Sequence, residues 1–437
     1  MKYTTYYILT IGCQMNKSDS ERVASYLKSF RLKASKPELA DIVVLNTCGV
    51  RQSAEDRVYT LSRNFKKKKP DCKLIITGCL ARRKDVHKRI GSKVDLFMPI
   101  NKLPEMMTAL KNNKDNLLLL KQEEDSLREK QGEKYLEIKP DYNNKFSAFV
   151  PIGNGCDNFC SYCVVPYARG REVYRPYNKI ILEVKELLSK GYKEINLIAQ
   201  NVNSYKSQAK DFADLILAID KLKGDFWLRF SSSHPKDMSD KLISAISKAK
   251  KLVNHLHLAV QSGDDEVLRN MNRKYKAQDY LNLIKKVRKV KPTIAITTDV
   301  IVGFPGETKE QFQNTVNLFN KTKFDLAYIS RYSPRPFTAS YNLKDDVSLA
   351  EKKRRERVLT ELLSKTAYEN NKKYLNYPVK VLVEGKSKDS RYFGKSSSYK
   401  YIAFKSTNKD LIGKFVEIKI TNIKDFGLEG ELVKIYN

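Results

Sequence analysis

Residues 6–13 read YYILTIGC, and two later stretches repeat the phrase: DIVVLNTC at 41–48 and KLIITGC at 73–79. Each is an apolar, β-branched run that ends on a cysteine. Runs of this kind, without polar alternation, mark strands buried on both faces of a parallel sheet. Helical patterns over Asn16–Phe30 and Ser53–Lys67 separate the three runs. Ligands gather outside the carboxyl ends of such strands. If the strands are neighbours, Cys13, Cys48 and Cys79 meet on one edge. Cys72 precedes its strand instead of ending it. Seven steps of about 3.3 Å put it roughly 23 Å from Cys79, so it is expected to be a structural thiol.

Working outward, a second alternating series begins at Phe146. Its strands are expected at Phe146–Ile152, Glu194–Ala199, Phe226–Ser232, His255–Gln261, Ile294–Val302 and Asp325–Arg331. Helical spacing lies between them, as in Ile180, Val184 and Leu187, or Ile284 and Val287. Six strand–helix units suggest a partial (β/α)6 TIM-type barrel whose active site belongs at the carboxyl-end loops. Leu349–Tyr368 reads as a further amphipathic helix. After it the period changes to two, with short strands at Val379–Val383, Tyr401–Phe404, Phe415–Thr421 and Gly430–Ile435. The α/β chain is thus expected to divide into a Rossmann-like parallel α/β domain (1–120), a charged linker with at most an edge strand (121–145), a barrel core (146–371) and a small antiparallel β-barrel or sandwich (372–437).

The 437 residues carry a formal charge of +32. So basic a surface attracts polyanions and points to nucleic acid, although lysine-rich solubility would give the same balance. Near the amino terminus the apolar stretch is too short for a signal peptide, and no segment approaches the roughly 20 apolar residues of a membrane span. A cytoplasmic chain without membrane contact is expected. Clustered cysteines there bind metal or do chemistry.

The other three clustered cysteines, Cys156, Cys160 and Cys163, lie in GCDNFCSYC at 155–163, just after the first barrel strand. Three thiolates on one loop can hold three corners of a [4Fe–4S] cube, leaving the fourth iron open. A structural zinc ion would want four ligands, and no second cysteine knuckle follows, though His234 or His257 could be recruited. The motif resembles the signature of the radical S-adenosylmethionine (SAM) enzymes. That resemblance implies that SAM chelates the open iron and is cleaved reductively to a 5′-deoxyadenosyl radical.

The likeness extends along the chain. GCQMNKSDSE, NTCGVR, TGCLARR, GCDNFCSYCVVPYARGRE, QNVNSY, SSSHP, QSGDDEVLRNMNR, TTDVIVGFPGET and YSPRP together resemble the radical SAM methylthiotransferases. Among these they are most similar to the tRNA enzymes that place a methylthio group on C2 of N6-isopentenyladenosine at position 37, beside the anticodon. The resemblance implies a second [4Fe–4S] cluster on Cys13, Cys48 and Cys79, two SAM molecules per reaction and an RNA-gripping TRAM ending. It also implies the tRNA anticodon stem-loop as partner and a low-potential electron donor such as flavodoxin or ferredoxin. The chain is expected to act as a monomer.

By the same resemblance, Gly303 and Gly306 pack against the SAM adenine, unless GFPGE is an ordinary strand-to-helix turn. Gln200 and Asn201 end the second strand where related enzymes recognise the methionyl end of SAM, and Ser232 and Gln261, which end the third and fourth strands, are expected to be polar SAM contacts. Arg273 and Asp299 are weaker candidates. Arg169 and Arg171, with Tyr167, and Lys395 and Lys400, with Tyr392 and Phe393, are candidate RNA contacts. The last four are expected to be exposed. Three positions depart from the family pattern: Tyr174 for serine after RGREV, Ala259 for proline ahead of QSG, and Phe337 for glycine after SPRP. Sister activities on threonylcarbamoyl-adenosine or on a ribosomal-protein aspartate remain alternatives, as does a non-catalytic zinc protein that binds RNA.

Overall fold

The computed structural model describes residues 3–50, 52–111 and 133–436. The opening phrases form a five-stranded sheet of β1 (Thr5–Thr10), β2 (Lys33–Ala34), β3 (Ile42–Thr47), β4 (Lys73–Gly78) and β5 (Leu96–Phe97), in the order β2-β1-β3-β4-β5. Every pairing is parallel. Thr10 lies opposite Asn46, and Asn46 opposite Thr77, so the three strands that lead to cysteines end level with one another. In β3 the period of two divides the side chains between two cores. Ile42 and Val44 pack with Val23 and Leu27 of helix Gln14–Ser29, whereas Val43 and Leu45 pack with Val58 and Tyr59 of helix Gln52–Lys68. The two helices therefore cover opposite faces of the sheet, which is why the run is apolar throughout.

Of the expected linker, 121–132 lies outside the described residues. The rest is packed. Tyr135 and Leu136, on a helical turn at Glu133–Leu136, join the same core as helix Gln14–Ser29. Beyond it Asp141 Nα donates to the Glu21 carbonyl, and Asn143 Nα to Glu21 Oε1 at 3.2 Å.

The barrel begins with β6 (Ser147–Pro151) and continues through a small hairpin of β7 (Gly153–Asn154) and β8 (Val173–Tyr174). Next come β9 (Glu194–Ile198), a hairpin of β10 (Lys206–Ser207) and β11 (Lys210–Asp211), and β12 (Trp227–Phe230). β13 (His255–His257), β14 (Ala295–Val302) and β15 (Leu326–Arg331) complete it. β6, β9 and β12 pair in parallel, as do β13, β14 and β15. Parallel bridges Leu228–Leu252 and Ser233–Leu258 join the two halves. β6 and β15 remain unpaired with each other, so this is a partial barrel of six strands. One large core packs behind the wall, drawn from strand residues such as Val150, Leu197 and Ile296 and from helix residues Val184, Ile216 and Val287.

Helix Leu349–Asn371 leads to a closed barrel of β16 (Pro378–Lys386), β17 (Tyr392–Ser396), β18 (Tyr401–Lys405), β19 (Phe415–Lys424) and β20 (Gly427–Ile435), in the order β16-β17-β18-β20-β19. Two details differ from the sequence expectation. β17, sequence YFGKS, is an additional strand, hidden in the sequence because glycine and lysine blur its alternation. The β18–β20 pair is parallel within an otherwise antiparallel barrel.

Candidate active site

Cys13 immediately precedes helix Gln14–Ser29, while Cys48 and Cys79 follow β3 and β4. Their loops touch in sequence. A β-carbon on Gly12 would lie 2.9 Å from Cys48 Cβ, and one on Gly49 would lie 3.2 Å from Cys79 Cβ. Gly12 has φ +141°, which side chains rarely adopt, so glycine is needed there for both conformation and space. The level strand ends thus bring the dispersed cysteines together. Cys72 is elsewhere, buried in the core behind β4 with Leu74 and Ile76.

The compact triad is held from below by the segment after helix Asp265–Asn270. Ser161 Nα donates to the Met271 carbonyl, Asn272 Nδ2 to the Phe159 carbonyl at 2.8 Å, and Arg273 Nη1 lies 3.5 Å from Cys160 Sγ. Burial pushes the Cys156 thiol up to about 12. Burial also raises Cys163, and the neighbouring Cys160, Cys156 and Cys79 add to the effect. Cys13 is raised first by desolvation; Arg169 opposes this and Cys79 reinforces it. Cys13 is nevertheless open to solvent. The loops of the two cysteine sets are joined through one buried arginine.

Arg169 stands between them. Only 2% exposed, its guanidinium donates to Asp19 Oδ2 at 2.7 Å, Asn16 Oδ1 at 3.2 Å and Asn154 Oδ1 at 3.0 Å. Asn16 Oδ1 also accepts from Cys13 Sγ at 3.2 Å. This corrects its placement as an RNA contact: the side chain ties the barrel's cysteine loop to the amino-terminal domain. Arg335 performs a similar tie, with Nη1 2.7 Å from Gln52 Oε1 and 3.6 Å from Glu55 Oε2, and it interacts with Cys48. Arg335 lies in YSPRP, yet sequence reasoning gives it no role; only the fold brings helix Gln52–Lys68 to it.

At the strand ends, Gln200 Oε1 and Asn201 Oδ1 are buried acceptors without a partner, while Asn201 Nδ2 donates to Asp237 Oδ2 at 2.7 Å. Two unfilled acceptors beside the cysteine loop suit the ammonium group of an amino-acid moiety such as that of SAM. Ser232 and Gln261 both have left-handed backbone, at φ +68° and +70°; Ser232 is exposed and Gln261 buried. Gly303 (φ +69°) and Gly306 (φ +80°) form a tight turn in which Gly303 Nα donates to Glu307 Oε2 and a β-carbon would strike the Lys352 stem. These contacts alone require glycine at 303.

Neither histidine considered for zinc is free. His234 Nδ1 accepts from Lys236 Nα, and burial, with Arg273 and Lys236 nearby, pushes its pKa down to about 2. His257 lies 3.0 Å from Thr297 Oγ1 and 3.1 Å from Asp299 Oδ2. Among the described residues no three His, Cys, Asp or Glu side chains are grouped to hold a single ion. Thiolates of a cube each take a different iron, so they need not crowd one point.

The other RNA candidates are dispersed. Arg171 is half-exposed and forms a two-pronged pair with Asp157 at 2.8 and 3.1 Å, and Tyr167 is half-buried nearby. Lys400 and Tyr392 are not exposed as expected. Lys400 Nζ lies 2.8 Å from Asp325 Oδ1, inside the contact between the two barrels, and the Tyr392 ring sits in the small barrel's core. Lys395 pairs with Glu384, and Phe393 stacks on Tyr401. Lys395 and Phe393 help line a cavity of about 540 Å³ that also takes in Gln14, Lys17, Phe149 and Arg229. Of the departures, Tyr174 packs edge-on against Tyr205, the Ala259 carbonyl accepts from Arg273, and Phe337 has φ +73°.

Residues 150–319 match the Radical SAM superfamily model, residues 5–98 the Uncharacterized protein family UPF0004, and residues 372–433 the TRAM domain. The chain is 40% identical over 444 residues to the tRNA-2-methylthio-N(6)-dimethylallyladenosine synthase of Clostridium tetani, covering 98% of this chain and 96% of that one. The protein of the same name from Carboxydothermus hydrogenoformans is 39% identical over 448 residues, covering 99% and 100%. Among solved structures, the radical S-adenosylmethionine methyltransferase TsrM from Kitasatospora setae superposes with a TM-score of 0.58 at 12% identity, over 78% of this chain and 74% of that one. The cobalamin-dependent S-adenosylmethionine radical enzyme OxsB gives 0.53 at 12% identity, over 85% and 56%. At such identities the likeness is one of fold.

Proposed function

The chain belongs to the tRNA-2-methylthio-N(6)-dimethylallyladenosine synthases, and from that membership we propose that it places a methylthio group on C2 of N6-isopentenyladenosine at position 37 of tRNA. The observation that supports the reading is a pair of ties between the cysteine loops: Arg169 joins Asn16, three residues after Cys13, to Asn154, two residues before Cys156, and the Arg335–Ser340 segment joins Gln52 to the Ser161 carbonyl. Methylthiolation needs a sulfur site and a radical site open to the same carbon, and these ties would hold the two thiol sets around one guest.

Cys156, Cys160 and Cys163 would hold one [4Fe–4S] cluster and Cys13, Cys48 and Cys79 the other. When bound, the two clusters and SAM supply the one-electron chemistry and the sulfur that adenine C2–H, too strong and too weakly acidic, denies to acid–base catalysis. The protein's own side chains do the positioning. Gln200 Oε1 and Asn201 Oδ1 would accept from the amino group of SAM. Arg273 places a positive charge beside Cys160. Arg169 and Arg335 fix the amino-terminal loops against the barrel, so that the distance between the thiol sets is set by buried contacts rather than by a hinge. Proximity of this kind can account for a large share of a rate enhancement.

The anticodon stem-loop is the RNA, since an unpaired base there can be turned out of its stack and read. A flavodoxin or ferredoxin supplies the electron, and the protein works as a monomer in the cytoplasm. Among the described residues no helix is long and apolar enough to cross a membrane. Deleting the gene and profiling tRNA nucleosides tests the function. Methylthio-isopentenyladenosine should vanish while isopentenyladenosine accumulates; an unchanged profile would refute the assignment.

A further inference from the structure

Phe337 carries backbone strain. Its φ of +73° is left-handed, where a β-carbon crowds the following carbonyl, and a phenyl ring has no local hydrogen bond to offset this. Its side chain is 48% exposed, so core packing does not hold it in place. Its loop, in contrast, is pinned on both sides. Arg335 fastens one end to Gln52, four residues beyond Cys48. Ser340 Nα fastens the other end to the Ser161 carbonyl at 2.8 Å, between Cys160 and Cys163. Within the loop Thr338 Oγ1 donates to the Arg335 carbonyl at 2.7 Å, and Tyr332 Oη to the Ser340 carbonyl at 2.9 Å.

The loop thus bridges the two cysteine loops, and Phe337 is the aromatic ring it exposes between those anchors. Tyr341 and Leu343 are exposed just beyond it, and Val50 two residues after Cys48. Among the described residues no other ring stacks on Phe337. A rigidly mounted, unpaired aromatic at a point where a nucleic acid must approach is what sequence-tolerant stacking uses, because every base has a π-face. The net charge of +32 favours a polyanion over an apolar protein partner for this edge.

We propose that Phe337 is a stacking platform for an unpaired base of the anticodon loop, a neighbour of the base delivered between the two cysteine sets. The assignment rests on the tRNA reading above. The left-handed backbone holds the ring ready, so little is lost in ordering it when the RNA arrives.

The test is fluorescence-anisotropy binding of a labelled anticodon stem-loop to the full-length apoprotein under argon, where no turnover intrudes. Phe337→Ala and Phe337→Gly should weaken binding at least about fivefold, while Phe337→Tyr and Phe337→Trp stay within about twofold of wild type. Phe337→Gly should also melt at a higher temperature, because glycine relieves the backbone, and a residue with only a structural role would not combine that gain with weaker binding. A fully paired duplex of the same length should bind wild type and Phe337→Ala alike. Equal stem-loop affinity for wild type, Phe337→Ala and Phe337→Gly would overturn the proposal, as would loss of self-association, instead of RNA affinity, in those variants. If wild type itself ignored the stem-loop, the tRNA reading would fall and this inference with it.

Discussion

Replacing Arg169 with glutamine should destabilise the protein by about 4 kcal/mol, the loss expected when one partner of a buried ion pair is removed. The magnitude follows from what is left behind. Asp19 is 1% exposed, its Oδ1 has no hydrogen-bond partner, and Arg169 Nη2 at 2.7 Å is the charge that compensates its Oδ2. At an effective dielectric constant near 20, a pair at this separation gains on the order of 4 kcal/mol or more, most of it spent on desolvation while both partners are present. Take away the cation and the desolvation cost of the carboxylate remains. The Asn16 and Asn154 bonds add about 1 kcal/mol each, partly retained by the glutamine amide. For a chain of this size the loss corresponds to roughly 2 °C per kcal/mol in the thermal midpoint. The assay is urea unfolding of the anaerobic apoprotein in a double-mutant cycle with Asp19→Asn, which removes the stranded charge. The double variant should recover about 2 kcal/mol relative to the sum of the single losses. If Arg169→Gln falls within about 1 kcal/mol of wild type, or if the losses are additive, the buried tie between the two domains is not what holds them.

Alanine at Cys13, Cys48 and Cys79 should leave reductive SAM cleavage intact and abolish methylthio product, whereas alanine at Cys156, Cys160 and Cys163 should abolish both; chromatography of deoxyadenosine and modified nucleoside reads the two outcomes. Burial raises Glu21 to about 7, so between its ordinary value of 4.5 and 7 the folded state holds a proton that the unfolded state has lost, and stability falls as pH rises through that window. Glu21→Gln should therefore stabilise the protein at pH 8 by on the order of 2–3 kcal/mol and have no such effect near pH 4.5; equal effects at both would contradict the assignment. Lys400→Met should lower the melting temperature, since it strands Asp325, yet leave the salt dependence of RNA binding unchanged. A fall of about one in the log–log slope would show instead that Lys400 meets phosphate.

What the sequence revealed, and what it hid, divides by the range of the interactions involved. Three apolar runs ending on cysteine were enough to place Cys13, Cys48 and Cys79 on one sheet edge, because strand period and parallel register are local properties that propagate between neighbours. The six barrel strands followed for the same reason, although their ends shift where the ladder hydrogen bonds stop before the apolar pattern does, as where His255–Gln261 narrows to His255–His257. Burial of charge was not legible. Arg169 and Lys400 look like surface cations in their local context, and become internal only because Asp19 and Asp325 arrive from 150 and 75 residues away. Tyr135, within a stretch read as linker, is buried by helix Gln14–Ser29 in the same way. The strain at Phe337 lay between these cases: glycine was the residue the pattern led one to expect there, and a φ of +73° supplies the reason.

The proposed sharing of one cavity is tested most directly by electron paramagnetic resonance on reconstituted, fully reduced protein, compared with the two triad variants. With both clusters in one cavity, the wild-type spectrum should show broadening or splitting from spin–spin coupling that neither variant shows. A wild-type signal equal to the plain superposition of the two single-cluster spectra would place the clusters in separate sites, and the chemistry assigned to this protein could not occur between them.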